Sequence, residues 1–187
     1  MVRSLIHPVI AAVLIVSARA ELQLTPSVVQ YELDGVKLKQ LAFSDGGKQV
    51  TYQAPYGWEY SGSATQLTLW PSKPQAEATI TRIPLKQPDS FDDESLKKLV
   101  TEAAASVPKD SENVTVVSQE KNPLLMNRKE TFLITLAYDF YGASYSRSIL
   151  FLNRGNEQIQ FQLTCSQADF KELQKAFLGS QYSWRNL

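Results

Sequence analysis

The stretch ETFLITLAYDFYGASYSRSILFLNRGNEQIQFQLTC, residues 130–165, decides the fold of this chain. It contains three strand-like runs rich in apolar residues, separated by the turn sequences Gly142-Ala143 and Arg154-Gly155-Asn156, and in the last run apolar and polar residues alternate. Successive side chains of a strand point to opposite faces, so these runs predict three strands, the last of them with one buried face. The short turns predict an antiparallel meander.

Segments upstream of this meander also alternate. The sequence VVQYELDGVKLKQLAF, residues 28–43, places Asp34-Gly35 between two alternating runs, which is the strongest short-range hairpin signal in a sequence. Further strands are predicted at residues 48–53, 66–70, 78–83 and 114–119.

Two other segments have apolar residues at helical spacing. Phe91 to Val107 is predicted to be an amphipathic helix with Ser90 as its N-cap. A second helix is predicted from Ser166 to Leu178, with Ser166 as cap and Gly179 as the stop.

The order of these elements predicts one α+β domain, a mainly antiparallel twisted sheet with both helices packed on it. Within residues 21–187, we expect an N-terminal hairpin extension at 21–47 and a core at 48–187.

The first twenty residues, MVRSLIHPVIAAVLIVSARA, have the pattern of a secretory signal peptide. Arg3 provides a cationic start, an apolar run follows at 9–16, and Ala18 and Ala20 form a small-x-small cleavage signal. The apolar run is shorter than the roughly 20 residues that a spanning helix needs. We therefore expect a soluble exported protein, periplasmic or extracellular, that starts near Glu21 and has no membrane span.

Cleavage also limits the available chemistry, because it would remove His7, the single histidine. Without imidazole, the common nucleophile triads and histidine-ligated zinc sites are unavailable. Carboxylate pairs such as Asp139 with Glu130 have no spacing that marks them for acid-base catalysis. We therefore expect no enzyme activity, no cofactor and no metal.

Charge and cysteine content give two further expectations. Removing Arg3 and Arg19 from the 19 basic residues leaves 17 against 19 acidic residues, a formal charge of −2. This balance does not steer the protein toward nucleic acid. Cys165 is in phase with Ile159 and the other apolar residues of its strand, which predicts a buried thiol. A redox or intermolecular role is the alternative.

One short motif, Pro55-Tyr56-Gly57-Trp58, supports a family resemblance. Together with the segments SRSILFLN, IQFQLTC and SQADF, it makes residues 48–180 resemble the α/β/α sandwich superfamily that includes PsbP, the Ran-binding Mog protein and the DcrB-like envelope proteins. The resemblance implies a sandwich fold and a non-catalytic accessory role, and it transfers no active-site residue.

The Trp58 side chain has two interpretations. It is either the plug at one end of the core, with Pro55 and Gly57 shaping the corner, or an interface aromatic beside Tyr52, Tyr56 and Tyr60.

Four residues of the segment YDFYGASYSR are the predicted partner-binding site: Tyr138, Tyr141, Tyr145 and Arg147. Tyrosine and arginine are enriched in binding hot spots, although alternate aromatics in a strand can equally pack beneath helices. The leading hypothesis is therefore a binding or accessory module of the cell envelope, expected to be a monomer. The alternative is a carrier of a small apolar ligand in a pocket between sheet and helix, lined by Trp58 and Phe140.

Overall fold

The computed structural model of the chain describes residues 21–87 and 90–186, so the predicted signal peptide lies outside the described residues. In chain order the elements are β1 (Leu22–Leu33), β2 (Val36–Asp45), β3 (Lys48–Tyr52), β4 (Trp58–Gly62), β5 (Gln66–Pro71), β6 (Ala76–Pro84), α1 (Asp93–Ala105), β7 (Glu112–Lys121), β8 (Thr131–Phe140), β9 (Ala143–Asn153), β10 (Glu157–Ser166), α2 (Phe170–Gln181) and β11 (Arg185–Asn186).

The strands form two sheets whose neighbouring strands all run antiparallel. The large sheet has the order β4-β5-β6-β10-β9-β8-β7, with the predicted meander as β8, β9 and β10. The small sheet has the order β1-β2-β3-β11. The mixed α+β class is confirmed, whereas the expectation of a single sheet is wrong.

The N-terminal hairpin belongs to the core rather than extending from it. Leu22 and Leu24 of β1, and Leu41 and Phe43 of β2, are buried in the main apolar cluster. The predicted division after residue 47 therefore does not follow the packing, because the hairpin supplies two of the four strands of the small sheet.

The main core lies between the small sheet with α2 and one face of the large sheet. On β10, Ile159, Phe161, Leu163 and Cys165 all belong to this core, as the alternation predicts. Phe177 of α2 packs against the same cluster. This arrangement buries the apolar face of each element against another element.

A second core lies under α1, on the opposite face of the large sheet. Leu99 and Ala103 of α1 pack against Phe132 and Ile134 of β8. Leu133, between these two β8 residues, belongs to the main core instead. Both faces of β8 are thus buried, which explains its nearly continuous apolar sequence.

The helix ends differ from the predicted ones. The N-cap of α1 is Asp92, which accepts a hydrogen bond from the Ser95 amide at 2.9 Å, and Ser90 instead donates to the Asp92 carboxylate. Ser166 is the last residue of β10 and donates to the carboxylate of Asp169, which is the N-cap of α2. Gly179 does not stop α2, because the helix continues to Gln181.

The N-terminal hairpin turns at Asp34 and Gly35, whose φ angles of 51° and 79° are both positive, as in a type I′ turn. The hairpin prediction is confirmed at this position. Residues 28–40, here called the ribbon, extend beyond the small sheet as two strands, and Leu33 and Val36 near its tip are exposed. A two-stranded ribbon with little packing is marginally stable alone.

A cluster of charged side chains joins the two sheets. Glu21, just before β1, pairs with Arg82 of β6 at 2.8 Å. Arg154 pairs with Asp45 at the end of β2 and lies 3.2 Å from Glu157. Burial raises the pKa of the Glu157 carboxyl, and the Arg154 cation partly offsets this effect.

Candidate functional site

Two of the four predicted partner-binding residues are not on the surface. Tyr138 is 3% exposed and Arg147 is 8% exposed. The Arg147 guanidinium donates to the Thr164 hydroxyl at 2.9 Å and to the Ser106 carbonyl oxygen, the C-cap of α1, at 2.6 Å. It also lies over the Tyr138 ring. The prediction that Arg147 contacts a partner is therefore corrected, because it holds the C-terminal end of α1 on the sheet.

Tyr145 is also engaged within the protein. Its ring stacks on Tyr138, with centroids 5.8 Å apart and an interplanar angle of 18°. Burial raises the pKa of the Tyr138 hydroxyl, while the Arg147 cation acts in the opposite direction. Alternate aromatics of this hairpin thus pack on the sheet, which was the second interpretation of the segment.

Tyr141 is the exception, since its side chain is 87% exposed. Tyr141 and Gly142 form the turn between β8 and β9, with φ angles of 49° and 76°. The Tyr141 ring contacts Phe140, with centroids 4.4 Å apart. The turn therefore presents one exposed aromatic, and of the four predicted residues only Tyr141 remains available to a partner.

Trp58 lies at the edge of the core, as its first interpretation predicts, whereas Tyr52, which the second interpretation places beside it at an interface, is fully buried. One face of the indole is stacked on Phe177 of α2, with centroids 6.1 Å apart and an interplanar angle of 2°. The side chain packs against the main core. Trp58 also lines an open cleft, so it belongs to the core and to a surface site together.

This aromatic cleft, of about 380 Å³, lies between the base of the ribbon and the corner at Pro55 to Trp58. Leu41 and Pro55 are buried and, with the half-buried Trp58, form its floor. Around this floor, the exposed residues of the lining form a rim: Val28, Lys39, Gln53, Tyr56 and Tyr60. Its volume is within the range of about 300–1,000 Å³ of small-molecule pockets.

The cleft exists because β1 and β4 separate along their length. Near its start, β1 touches β4 so closely that a Cβ atom on Gly62 would overlap Pro26 and lie 2.8 Å from the Leu24 carbonyl oxygen. Val28, two residues after Pro26, and Tyr60, two residues before Gly62, line the cleft. The contact at Gly62 therefore closes one end of the wedge between the two sheets.

Phe140 does not line the aromatic cleft, so the predicted pocket of Trp58 with Phe140 is corrected. Phe140 ends β8, whereas Trp58 starts β4, and four strands of the large sheet separate β8 from β4. The cleft also lies between sheet edges rather than between sheet and helix. The residues Val28 and Lys39 were missed because no local signal places the hairpin beside the corner.

Comparison with known proteins identifies no family for this chain. No protein-family model matches the chain, and no curated protein sequence matches it. One similar solved structure is that of a Pseudomonas aeruginosa protein of unknown function, with a TM-score of 0.45 and 14% identity, covering 83% of this chain and 94% of that one. We draw no conclusion from a likeness at this level. In the part of the chain that the structure describes, no helix has the length and apolar character to cross a membrane.

Cys165 is buried, and burial raises the pKa of its thiol to about 11, with the nearby Asp169 carboxylate acting in the same direction. Between pH 9 and 11 the unfolded chain loses this proton while the folded protein keeps it, so folded-state stability falls as pH rises. We expect the stability advantage of the wild type over Cys165→Ala to shrink by about 2 kcal/mol from pH 8 to pH 11. Urea unfolding at both pH values measures this, and an unchanged difference would contradict the buried-thiol assignment.

Proposed function

We propose that this protein is an exported, non-catalytic binding module of the cell envelope that holds a small apolar ligand in the aromatic cleft. The observation that carries the proposal is a cleft of about 380 Å³ with an apolar floor that includes the Trp58 indole. Pockets for small molecules are typically concave, mostly apolar and lined by aromatic residues. Export brings the protein to the envelope, and the absence of histidine after residue 7 disfavours the commonest catalytic machinery.

Two features of β1 support cleavage of the N-terminal segment before Glu21. Leu22 is fully buried at the very start of β1, and the Glu21 side chain pairs with Arg82. Both residues follow directly after the small-x-small signal at Ala18 to Ala20. Intact mass measurement of the native protein should show a chain that starts at Glu21, and a retained Met1 would contradict export by this route.

The fold supports a PsbP/DcrB-like sandwich as a further part of the proposal. The large sheet carries α1 on one face, and the small sheet with α2 on the other. The Pro55 to Trp58 corner links the two sheets. An experimentally determined structure that superposes poorly on members of that superfamily would overturn this assignment.

The ligand-binding proposal is tested with exposed tyrosines. Tyr56 is fully exposed on the rim of the cleft, so Tyr56→Ala should leave the melting temperature unchanged. We expect it to weaken binding of an apolar dye or a lipid extract component about fivefold to tenfold, because an aromatic contact is lost. Native mass spectrometry of protein purified from its source provides the ligand, and fluorescence titration provides the affinity.

Tyr141→Asn is the matched control for this titration. Tyr141 is also an exposed tyrosine, it does not line the cleft, and asparagine tolerates the positive φ of the turn. It should bind the ligand as the wild type does. Equal affinities for all three proteins, or no bound molecule in the native protein, would contradict the cleft as the functional site.

A second candidate function is protein binding at the β8–β9 turn, favoured by the 87% exposure of Tyr141. A pull-down from the native envelope with wild type and Tyr141→Asn tests it. Loss of a specific partner from Tyr141→Asn, but not from Tyr56→Ala, would support this site. Recovery of the same partners by all three proteins would remove the turn from consideration.

A further inference from the structure

We propose that the ligand of the aromatic cleft is an anionic amphiphile, an apolar chain or ring that carries one carboxylate or a similar anionic group. This inference rests on the proposed function and names the chemical class that the same site accepts. The anionic group would be bound by Lys39 at the rim, while the apolar part would cover Leu41, Pro55 and Trp58 on the floor.

The charge of the cleft lining supports an anion. Among the described residues that line it, Lys39 carries the sole formal charge, and the remaining polar side-chain groups are the amides of Gln40 and Gln53, two tyrosine hydroxyls and the Trp58 indole N–H. No carboxylate is present among these described lining residues. A neutral ligand would leave this cation without a counterpart, whereas a cationic ligand would be repelled.

Lys39 is available for a ligand because the ribbon does not neutralise it. The residue directly opposite Lys39 on β1 is Gln30. The acidic residue on the same face is Glu32, which lies opposite Lys37 in the strand register. Within residues 21–87 and 90–186, no salt bridge joins Lys39 to a carboxylate. The ammonium therefore stands at the rim beside an apolar floor.

The position of Lys39 on the ribbon has a mechanical consequence. Val28 and Lys39 lie on the ribbon side of the cleft, whereas Tyr60 of the rim and Trp58 of the floor belong to β4 in the large sheet. A ligand that contacts both walls would connect the weakly packed ribbon to the large sheet. We therefore expect ligand binding to slow amide hydrogen exchange in residues 28–40 more than in β8 or β9.

The test uses three probes with the same ten-carbon chain: decanoate, 1-decanol and decyltrimethylammonium, each below its micelle concentration. Isothermal titration calorimetry at low ionic strength should show decanoate binding about fivefold more tightly than decanol, with decyltrimethylammonium the weakest. Added salt should reduce the preference for decanoate, because the Lys39 ammonium is exposed.

Two lysine variants assign the preference to one side chain. Lys39→Gln should lose the preference and bind decanoate and decanol about equally. Lys37→Gln is the matched control, since Lys37 lies on the same face of β2 outside the cleft lining and should keep the preference.

The outcomes separate this inference from the proposed function. If decanol and decanoate bind with equal affinity to the wild type, the anionic class is wrong while the apolar cleft stands. If decyltrimethylammonium binds most tightly, or Lys39→Gln keeps the preference for decanoate, the assignment to Lys39 is overturned. If none of the three probes binds, the proposed function itself fails.

Discussion

Replacing Trp184 with alanine should destabilise the protein by about 3–5 kcal/mol, because truncating a buried aromatic leaves a large cavity. The indole is 2% exposed and contacts three other aromatic rings. Its centroid lies 5.7 Å from that of Phe43, 6.0 Å from Tyr52 and 5.1 Å from Phe161, the last in edge-to-face geometry. Phe43 and Tyr52 belong to the small sheet and Phe161 to the large one, so Trp184 joins the two sheets.

Thermal unfolding measures this effect, and for a domain of this size the loss corresponds to roughly 6 to 20 °C in Tm. Trp184→Phe is the control, since it keeps an aromatic ring in the same space. Within the described residues, the indole Nε1 is buried without a hydrogen-bond partner. Phenylalanine removes that unpaired donor, so this variant should lose less than half as much stability. Similar losses for both variants would show that ring packing is not the source of the stability.

Replacing Gly62 with alanine should cost about 3 kcal/mol, because the added methyl group has no space. The new Cβ would overlap Pro26 and lie 2.8 Å from the Leu24 carbonyl oxygen, where backbone rather than a flexible side chain would have to move. The expected movement separates β1 from β4 at the closed end of the aromatic cleft. The variant should therefore also bind a cleft ligand more weakly, and chemical unfolding with ligand titration measures both effects.

Gly179→Ala is the matched control for this substitution. A Cβ at Gly179 meets nothing within 4 Å, and the residue lies inside α2. Alanine there should stabilise the protein by about 0.5–1 kcal/mol, since glycine is a poor helix former. If Gly62→Ala proved as stable as the wild type, the close approach of β1 and β4 would be wrong.

The sequence was informative about the site only where the neighbouring residues indicate whether a side chain is exposed or buried. Tyr141 follows the end of β8 and precedes a glycine, so a turn with an exposed aromatic was predictable. The burial of Arg147 was also predictable, because Arg147 is in phase with Ile149 and Phe151 on β9. The arginine side chain is typical of a binding site, but its position in the strand places it with the buried residues. The cleft had no such signal, since Lys39 and Trp58 are brought together from separate elements.

By itself, the sequence determined most of the elements, although it did not indicate β4 or β11, and it indicated the buried face where residues alternate, as in β10. The alternation in β10, the Asp34-Gly35 turn and the helical spacing of α1 are properties of neighbouring residues, and each limits the backbone locally. Only the tertiary structure decided which buried face of one element packs against which other element. The pairing of β3 with β11, across most of the chain, and the contact of Pro26 with Gly62 each join segments that are distant in the sequence. Such contacts depend on shape complementarity between distant segments, which periodicity within a segment does not encode. The aromatic cleft is the space left between those segments, so it follows from their packing.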